Sequence, residues 1–132
     1  MPRPVNRPRR LRRVTGPVAP LHSVNAQHVG RRCVVSFAGE LDLATVPDLE
    51  RALQQAIAEG AREVWTDLDA TTFMDSSGVV CLLQTQFALA ELKRHFAVIC
   101  DPARPARRVL GLTGAAAQLE LHPSRTAAHR AA

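Results

Sequence analysis

The sequence predicts a single α/β domain in which parallel strands follow a short antiparallel hairpin. Three observations carry that expectation. A chain of 132 residues, 46% apolar, is one domain's length with enough apolar material for a core. From the hairpin onward, strand and helix patterns alternate as β-α-β-α-β-α-β, and strands separated by helices pair in parallel through right-handed crossovers. Aromatic residues are scarce (four Phe, one Trp, no Tyr), so the core must be aliphatic and alanine-rich.

The elements follow in order. Leu21–Gln27 is a weak first strand, the residues around Gly30 are a turn, and Cys33–Leu41 is a β-rich second strand, with Val35 and Phe37 alternating against Val34 and Ser36. Leu43–Gly60 reads as a helix with both ends marked. Thr45 is placed as N-cap, Pro47 falls in the first turn, Asp48 has capping-box spacing, and Gly60 suits the residue beyond the C-cap. Val46, Leu49, Leu53, Ala56 and Ile57 form its apolar stripe. Arg62–Ala70 is a strand, and a short loop through Phe73 and Met74 leads to a second helix running from Ser76 or Ser77 to about Arg94. On that helix Val80, Leu83, Phe87 and Ala90 repeat at steps of 3, 4 and 3, which predicts the buried face. Phe96–Cys100 is a short buried strand. Residues 103–114 hold a short helix, Leu119–His122 a last edge strand, and residues 123–132 a C-terminal extension of weak helical character.

Charge is unevenly distributed. Residues 1–20 hold six of the seventeen basic residues, no acid, and five of the nine prolines. The remaining eleven basic residues face twelve acids, so the basicity belongs to the tail and not to the fold. Such a segment buries too little apolar surface to offset its ordering entropy and is expected to be disordered. It offers no aromatics for base stacking and no amphipathic face, so no specific nucleic-acid partner is expected. No apolar stretch reads as a signal peptide or a membrane span, which predicts a cytoplasmic protein. Cys33, Cys81 and Cys100 have no metal-ligand spacing and read as buried thiols.

The most informative stretch is Thr72–Gln86, where Asp75-Ser76-Ser77-Gly78 stands at a strand-to-helix junction. The first N–H groups of a helix lack intrahelical partners and favour negative charge. Three roles compete there. In the first, the motif is only a well-made helix start, with Ser76 or Ser77 as cap and Gly78 giving freedom at the bend. The second is catalysis, and it fares poorly: residues 74–78 lack the first glycine of a hydrolase elbow, no histidine is placed beside Ser76, and no nucleotide loop is present. No catalytic residue, metal or cofactor is therefore expected. The third is modification. A hydroxyl at an exposed helix N-terminus can accept a phosphoryl group, and about −1.5 to −2 of added charge changes the surface without melting the fold.

Three segments, Phe37–Leu53, Val64–Gln84 and Ala97–Leu121, occur in an order and spacing that resemble a STAS domain, specifically a stand-alone anti-sigma-factor antagonist. The resemblance covers about residues 21–122. It implies a four- or five-stranded mixed sheet with helices packed largely on one face. It also implies a phosphorylation switch. The unmodified antagonist binds an anti-sigma factor, usually a serine kinase, and frees the sigma factor; the kinase then phosphorylates the antagonist, and a serine phosphatase resets it. By motif position the phosphoacceptor is Ser76. Asp75, Ser77 and Gly78 would shape the loop the kinase reads, and the Asp42 region and the second helix would supply contact surface. The chain departs from the family pattern at Val79-Val80, where a Leu-Gly-like pair is common. Val79 and Leu82 lie beside the expected buried stripe and have two readings: part of an apolar partner patch near Ser76, or ordinary core. An alternative on the same fold is a STAS subunit of a lipid-transport or stress-signalling complex that binds protein without phosphorylation.

Overall fold

The structure, a computed structural model, describes residues 21–132. The tail expected to be disordered, residues 1–20, lies outside them. Five strands form one mixed sheet in the order β1-β2-β3-β4-β5: β1 His22–Val29, β2 Arg32–Leu41, β3 Glu63–Met74, β4 His95–Ile99 and β5 Leu121–His122. The β1/β2 pair is the antiparallel hairpin, and every later pair is parallel. The helices are α1 Val46–Ala58, α2 Ser76–Glu91, α3 Pro105–Leu112 and α4 Arg125–Ala131, with a short 3₁₀ turn at Ala115–Ala117.

Side-chain alternation along the strands sorts the sheet into two faces. One face presents Cys33, Val35, Phe37, Val64, Leu68, Phe96, Val98 and Cys100, and packs against α1, α2 and α3 in the main core. Helix α1 contributes Val46, Leu49, Leu53 and Ala56, as its apolar stripe predicts. The opposite face carries a small separate cluster of Val34, Trp65, Ala97 and Ile99, covered by Ala128 of α4. The central strand β3 is therefore buried on both sides, with Val64, Thr66 and Leu68 facing one way and Trp65 and Asp67 the other.

Strand β3 runs four residues further than the sequence pattern indicates, through Thr71, Thr72, Phe73 and Met74. The added length is paired with the end of β2: Gly39 faces Thr71, Glu40 faces Phe73 and Leu41 faces Met74. Register shifts between Ser36 and Ala38 and between Gly39 and Glu40 break the period-two alternation there. Gly39 sits at this irregularity with φ +106°, and a Cβ on it would lie 2.3 Å from the Leu21 carbonyl oxygen. Only glycine lets β1 begin this close to β2.

Helix α1 starts differently from the capping box expected. The Thr45 side chain makes no cap bond to the helix. Its hydroxyl donates to the Glu40 carbonyl at 2.7 Å and accepts from the Asp42 N–H at 3.0 Å. Asp48 bonds His22 and Arg51 instead.

Candidate phosphoacceptor and partner-binding site

The C-terminal ends of β2 and β3 deliver two neighbouring turns. The first is Asp42–Thr45, an Asx turn in which Asp42 Oδ1 accepts from the Ala44 N–H at 3.0 Å and the Thr45 N–H at 3.1 Å. The second is the Asp-Ser-Ser-Gly junction. The two are joined because the Asp75 N–H donates to the Leu41 carbonyl at 3.2 Å and the Leu43 N–H faces the Asp75 carboxylate. A cavity of about 370 Å³ beside them is lined by Leu21, His22, Glu40, Asp42, Thr45 and Thr72, among others.

Neither serine caps α2. The N-cap is Asp75, in extended conformation, whose carboxylate accepts from the Ser77 N–H at 2.9 Å and from the Ser77 hydroxyl. The Ser77 hydroxyl, followed by the backbone N–H groups of Ser77, Gly78 and Leu43, holds the Asp75 carboxyl below its usual range. This assignment separates two serines that look alike in sequence. Ser77 is half-buried and tied to Asp75. Ser76 is exposed at the first helical position, and its hydroxyl makes no hydrogen bond among the described residues.

Gly78 has a packing role, not the conformational one expected. It is buried, and a Cβ there would meet Met74 Cγ at 2.7 Å and Leu41 Cδ2 at 3.0 Å. Its small size lets the first turn of α2 lie against the ends of β2 and β3, and this sets the rotation of the helix about its axis.

That rotation overturns the expected faces of α2. The buried residues are Gly78, Val79, Cys81, Leu82, Thr85 and Leu89. Val79 and Leu82 belong to the main core, with Leu82 fully buried, so the partner-patch reading of these two is corrected to core. The stripe expected inside is on the outside. Val80 is 49% and Phe87 67% exposed, Ala90 is exposed, and Leu83 is half-buried at the margin of the core. Apolar residues occur all round this helix, so periodicity alone does not fix which side faces the sheet. Ser76, Val80, Leu83 and Phe87 are spaced by 4, 3 and 4 residues and lie on one face. Leu43, 78% exposed, stands on the first of the two turns, and Phe73, 48% exposed, lies at the end of β3 two residues before Asp75. The free hydroxyl therefore heads an exposed apolar surface that the sequence reading placed in the core. Helix α2 is apolar all round yet buries only one of its sides, so the other remains outside.

The groove between α1 and α2, about 220 Å³, is lined by residues including Leu53, Ile57, Cys81 and Thr85. All three cysteines are buried and free. Burial pushes the Cys81 thiol up to about 12 and the Cys100 thiol up to about 11, which leaves both as unreactive packing groups. Among the described residues, no cluster of His, Cys, Asp and Glu has the geometry of a metal site, and no helix is long and apolar enough to cross a membrane.

Comparison with known proteins places this architecture. The STAS domain family model matches residues 23–128. The anti-sigma-B factor antagonist of Staphylococcus aureus is 32% identical over 65 residues, 49% of this chain and 60% of that protein's length. The antagonist of the same name from Staphylococcus epidermidis is 34% identical over 80 residues, 61% of this chain and 73% of that protein. A crystal structure of an anti-sigma factor antagonist from Mycobacterium paratuberculosis superposes with a TM-score of 0.76 at 30% identity, covering 83% of this chain and 92% of that one. The chain belongs to the STAS domain family and, within it, to the anti-sigma factor antagonists.

Proposed function

We propose that the unmodified chain binds an anti-sigma factor of the serine-kinase type, and that phosphorylation of Ser76 by that kinase releases it. The observation that carries this reading is the position of Ser76: an exposed hydroxyl without a partner among the described residues, at the head of the apolar face Val80–Leu83–Phe87. In the transfer, Ser76 Oγ attacks the γ-phosphorus of ATP, the bond to the β–γ bridging oxygen breaks, and ADP leaves. The serine proton passes to a base on the kinase. The phosphate gains the N-terminal dipole of α2, and the fold can hold it there without rearrangement.

The same charge disrupts docking. Beside the Asp75 carboxylate, the phosphate adds about −1.5 to −2 to a surface whose neighbours are apolar, and an apolar partner surface would have to desolvate it. Leu43, Phe73, Val80 and Phe87 are the contact residues in this reading, with the Asp42 turn at their edge. Asp75 and Ser77 hold the loop in the shape the kinase reads, and Gly78 seats it. A serine phosphatase resets the switch by hydrolysis, and the cycle runs in the cytoplasm, where the freed sigma factor acts on transcription. The chain works in this cycle by binding and as a substrate.

The test uses the chain, a candidate anti-sigma kinase and ATP. Intact mass should show one added phosphate on the native protein and none on Ser76→Ala, with Ser77→Ala still modified. The Ser76→Ala protein should hold the kinase in the presence of ATP while the native protein dissociates. Stable binding of the native protein with no phosphate transfer would replace this reading with the phosphorylation-independent binding module.

A further inference from the structure

We infer that residues 1–20 compete with the anti-sigma factor for the Ser76 end of the domain: the segment binds across the cavity beside the Asp42 turn, and phosphate on Ser76 tightens its hold. The tightening rests on Ser76 being the phosphoacceptor; the docking itself does not. Residues 1–20 join the described part of the chain at Leu21, and Leu21 is itself a wall of that cavity. His22 pairs with Gly39 near the C-terminal end of β2. The segment therefore departs from the same end of the sheet as the Asp42 and Asp75 turns.

The cavity, about 370 Å³, has apolar walls in Leu21 and Ala44 and acids in Glu40 and Asp42. Leu21 is 91% exposed, and Leu43 is the neighbour of Ala44 in the turn, so apolar surface stands uncovered at its mouth among the described residues. Glu40 is exposed and Asp42 half-buried. Asp42 accepts only from the N–H groups of Ala44 and Thr45 and the Thr45 hydroxyl. Asp75 is likewise held by a hydroxyl and backbone N–H groups. His22 of β1 and Arg51 of α1 are both taken by Asp48. Arg104 lies past Thr72, in a second cavity beside Asp69. The carboxylates of Glu40, Asp42 and Asp75 thus have no cationic partner among the described residues.

The sequence of residues 1–20 complements this surface in order. Val14-Thr15-Gly16-Pro17-Val18-Ala19-Pro20, next to Leu21, is uncharged and largely apolar, as the cavity wall is. Arg7, Arg9, Arg10, Arg12 and Arg13 follow beyond it, with no acid among them. Seven residues span at most about 25 Å when extended. Asp75 is one hydrogen bond from Leu41 at the end of β2, so the arginines are within reach of the Ser76 turn. A segment joined to its own target binds as an intramolecular event, so weak contacts suffice. Before phosphorylation the arginines meet exposed carboxylates, and such contacts are weak enough for an anti-sigma factor to displace. Phosphate on Ser76 adds strong acceptor oxygens beside Asp75, and arginine grips phosphate in a bidentate fork. The segment then covers the surface that the partner has left and opposes rebinding.

The test compares the native chain with a full-length variant carrying Arg7→Ser, Arg9→Ser, Arg10→Ser, Arg12→Ser and Arg13→Ser. In the unmodified proteins, amide exchange in residues 40–45 should be about three- to tenfold slower in the native chain, and this difference should vanish in about 1 M salt. Titration of the anti-sigma kinase without ATP should show the variant binding about three- to tenfold more tightly than the native chain. Once intact mass confirms one phosphate on each protein, the exchange difference in residues 40–45 should widen. Equal exchange in the two unmodified chains, a difference that survives the salt, or equal or weaker kinase binding by the variant would each overturn the competition. An exchange difference that phosphate leaves unchanged would overturn the tightening. A kinase that leaves Ser76 unmodified would instead strike the phosphoacceptor reading, and the unmodified chains would still decide the docking.

Discussion

The two long sides of α2 are almost equally apolar and have opposite fates. The inner side carries Val79, Cys81, Leu82 and Leu89 and is sealed against the sheet. The outer side carries Val80, Leu83, Phe87 and Ala90, and most of it faces solvent. Hydrophobicity does not choose between them. The choice is made at the first turn, where Gly78 alone is small enough to rest on Met74 and Leu41. A residue without a side chain thus decides which apolar stripe becomes core and which remains available for contact. The comparison teaches that an apolar side chain on this helix is structural or functional according to the helix's rotation about its own axis.

Substitutions that treat the two sides alike test this most sharply. The largest effect is expected for Leu82→Ala, which opens a cavity under a fully buried side chain and should cost about 2–5 kcal/mol in chemical denaturation. A loss below 1 kcal/mol would mean that Leu82 is not core and would break the comparison. Gly78→Ala should follow, at about 1–3 kcal/mol, because the added methyl presses Met74 and Leu41 apart. The partial escape available to the flexible Met74 side chain puts the lower half of that range within reach. Asp75→Ala should cost about 1 kcal/mol at pH 7 through the lost cap. That difference should shrink in acid: the folded-state carboxyl sits below its ordinary value, so its stabilisation is complete above the ordinary range and lost as pH falls through the depressed one. A gap between the two proteins that stays constant down to pH 2 would show that the carboxylate charge is not what matters. The smallest effect on stability is expected for Phe87→Ser, within about 0.5 kcal/mol of the native chain. The same change should weaken binding of the anti-sigma partner by tenfold or more if Phe87 anchors the interface, read by titration calorimetry. Unchanged affinity would remove the outer stripe from the contact surface.

Much of the fold is legible in the sequence. The alternation of strand and helix patterns after the hairpin led to the parallel order, and the apolar stripe of α1 was assigned correctly because its opposite side is polar, with Glu50, Arg51, Gln54 and Gln55. Helix α2 has no such polar opposite, and there the same periodicity argument selected the wrong stripe. The end of β3 was missed for a different reason. Its pairing with Gly39–Leu41 runs through two register shifts, and these erase the alternation by which strands are recognised. The cap of α1 was misread because Thr45 and Asp48 have the right spacing, but their side chains find stronger partners: the Glu40 carbonyl and Asp42 N–H for Thr45, His22 and Arg51 for Asp48. At the candidate site the motif itself was plain in sequence. What sequence did not contain was the division of labour between its serines, since that depends on Asp75 reaching Ser77 and leaving Ser76 outside.

The buried thiols have a practical corollary. With all three sulfurs enclosed, and those of Cys81 and Cys100 held as protonated thiols far above neutral pH, the native chain should be silent toward maleimide reagents. A single cysteine installed at exposed Gln84 would then be the one labelling position, carrying a fluorophore to the edge of the outer stripe without any need to strip the natural sulfurs first.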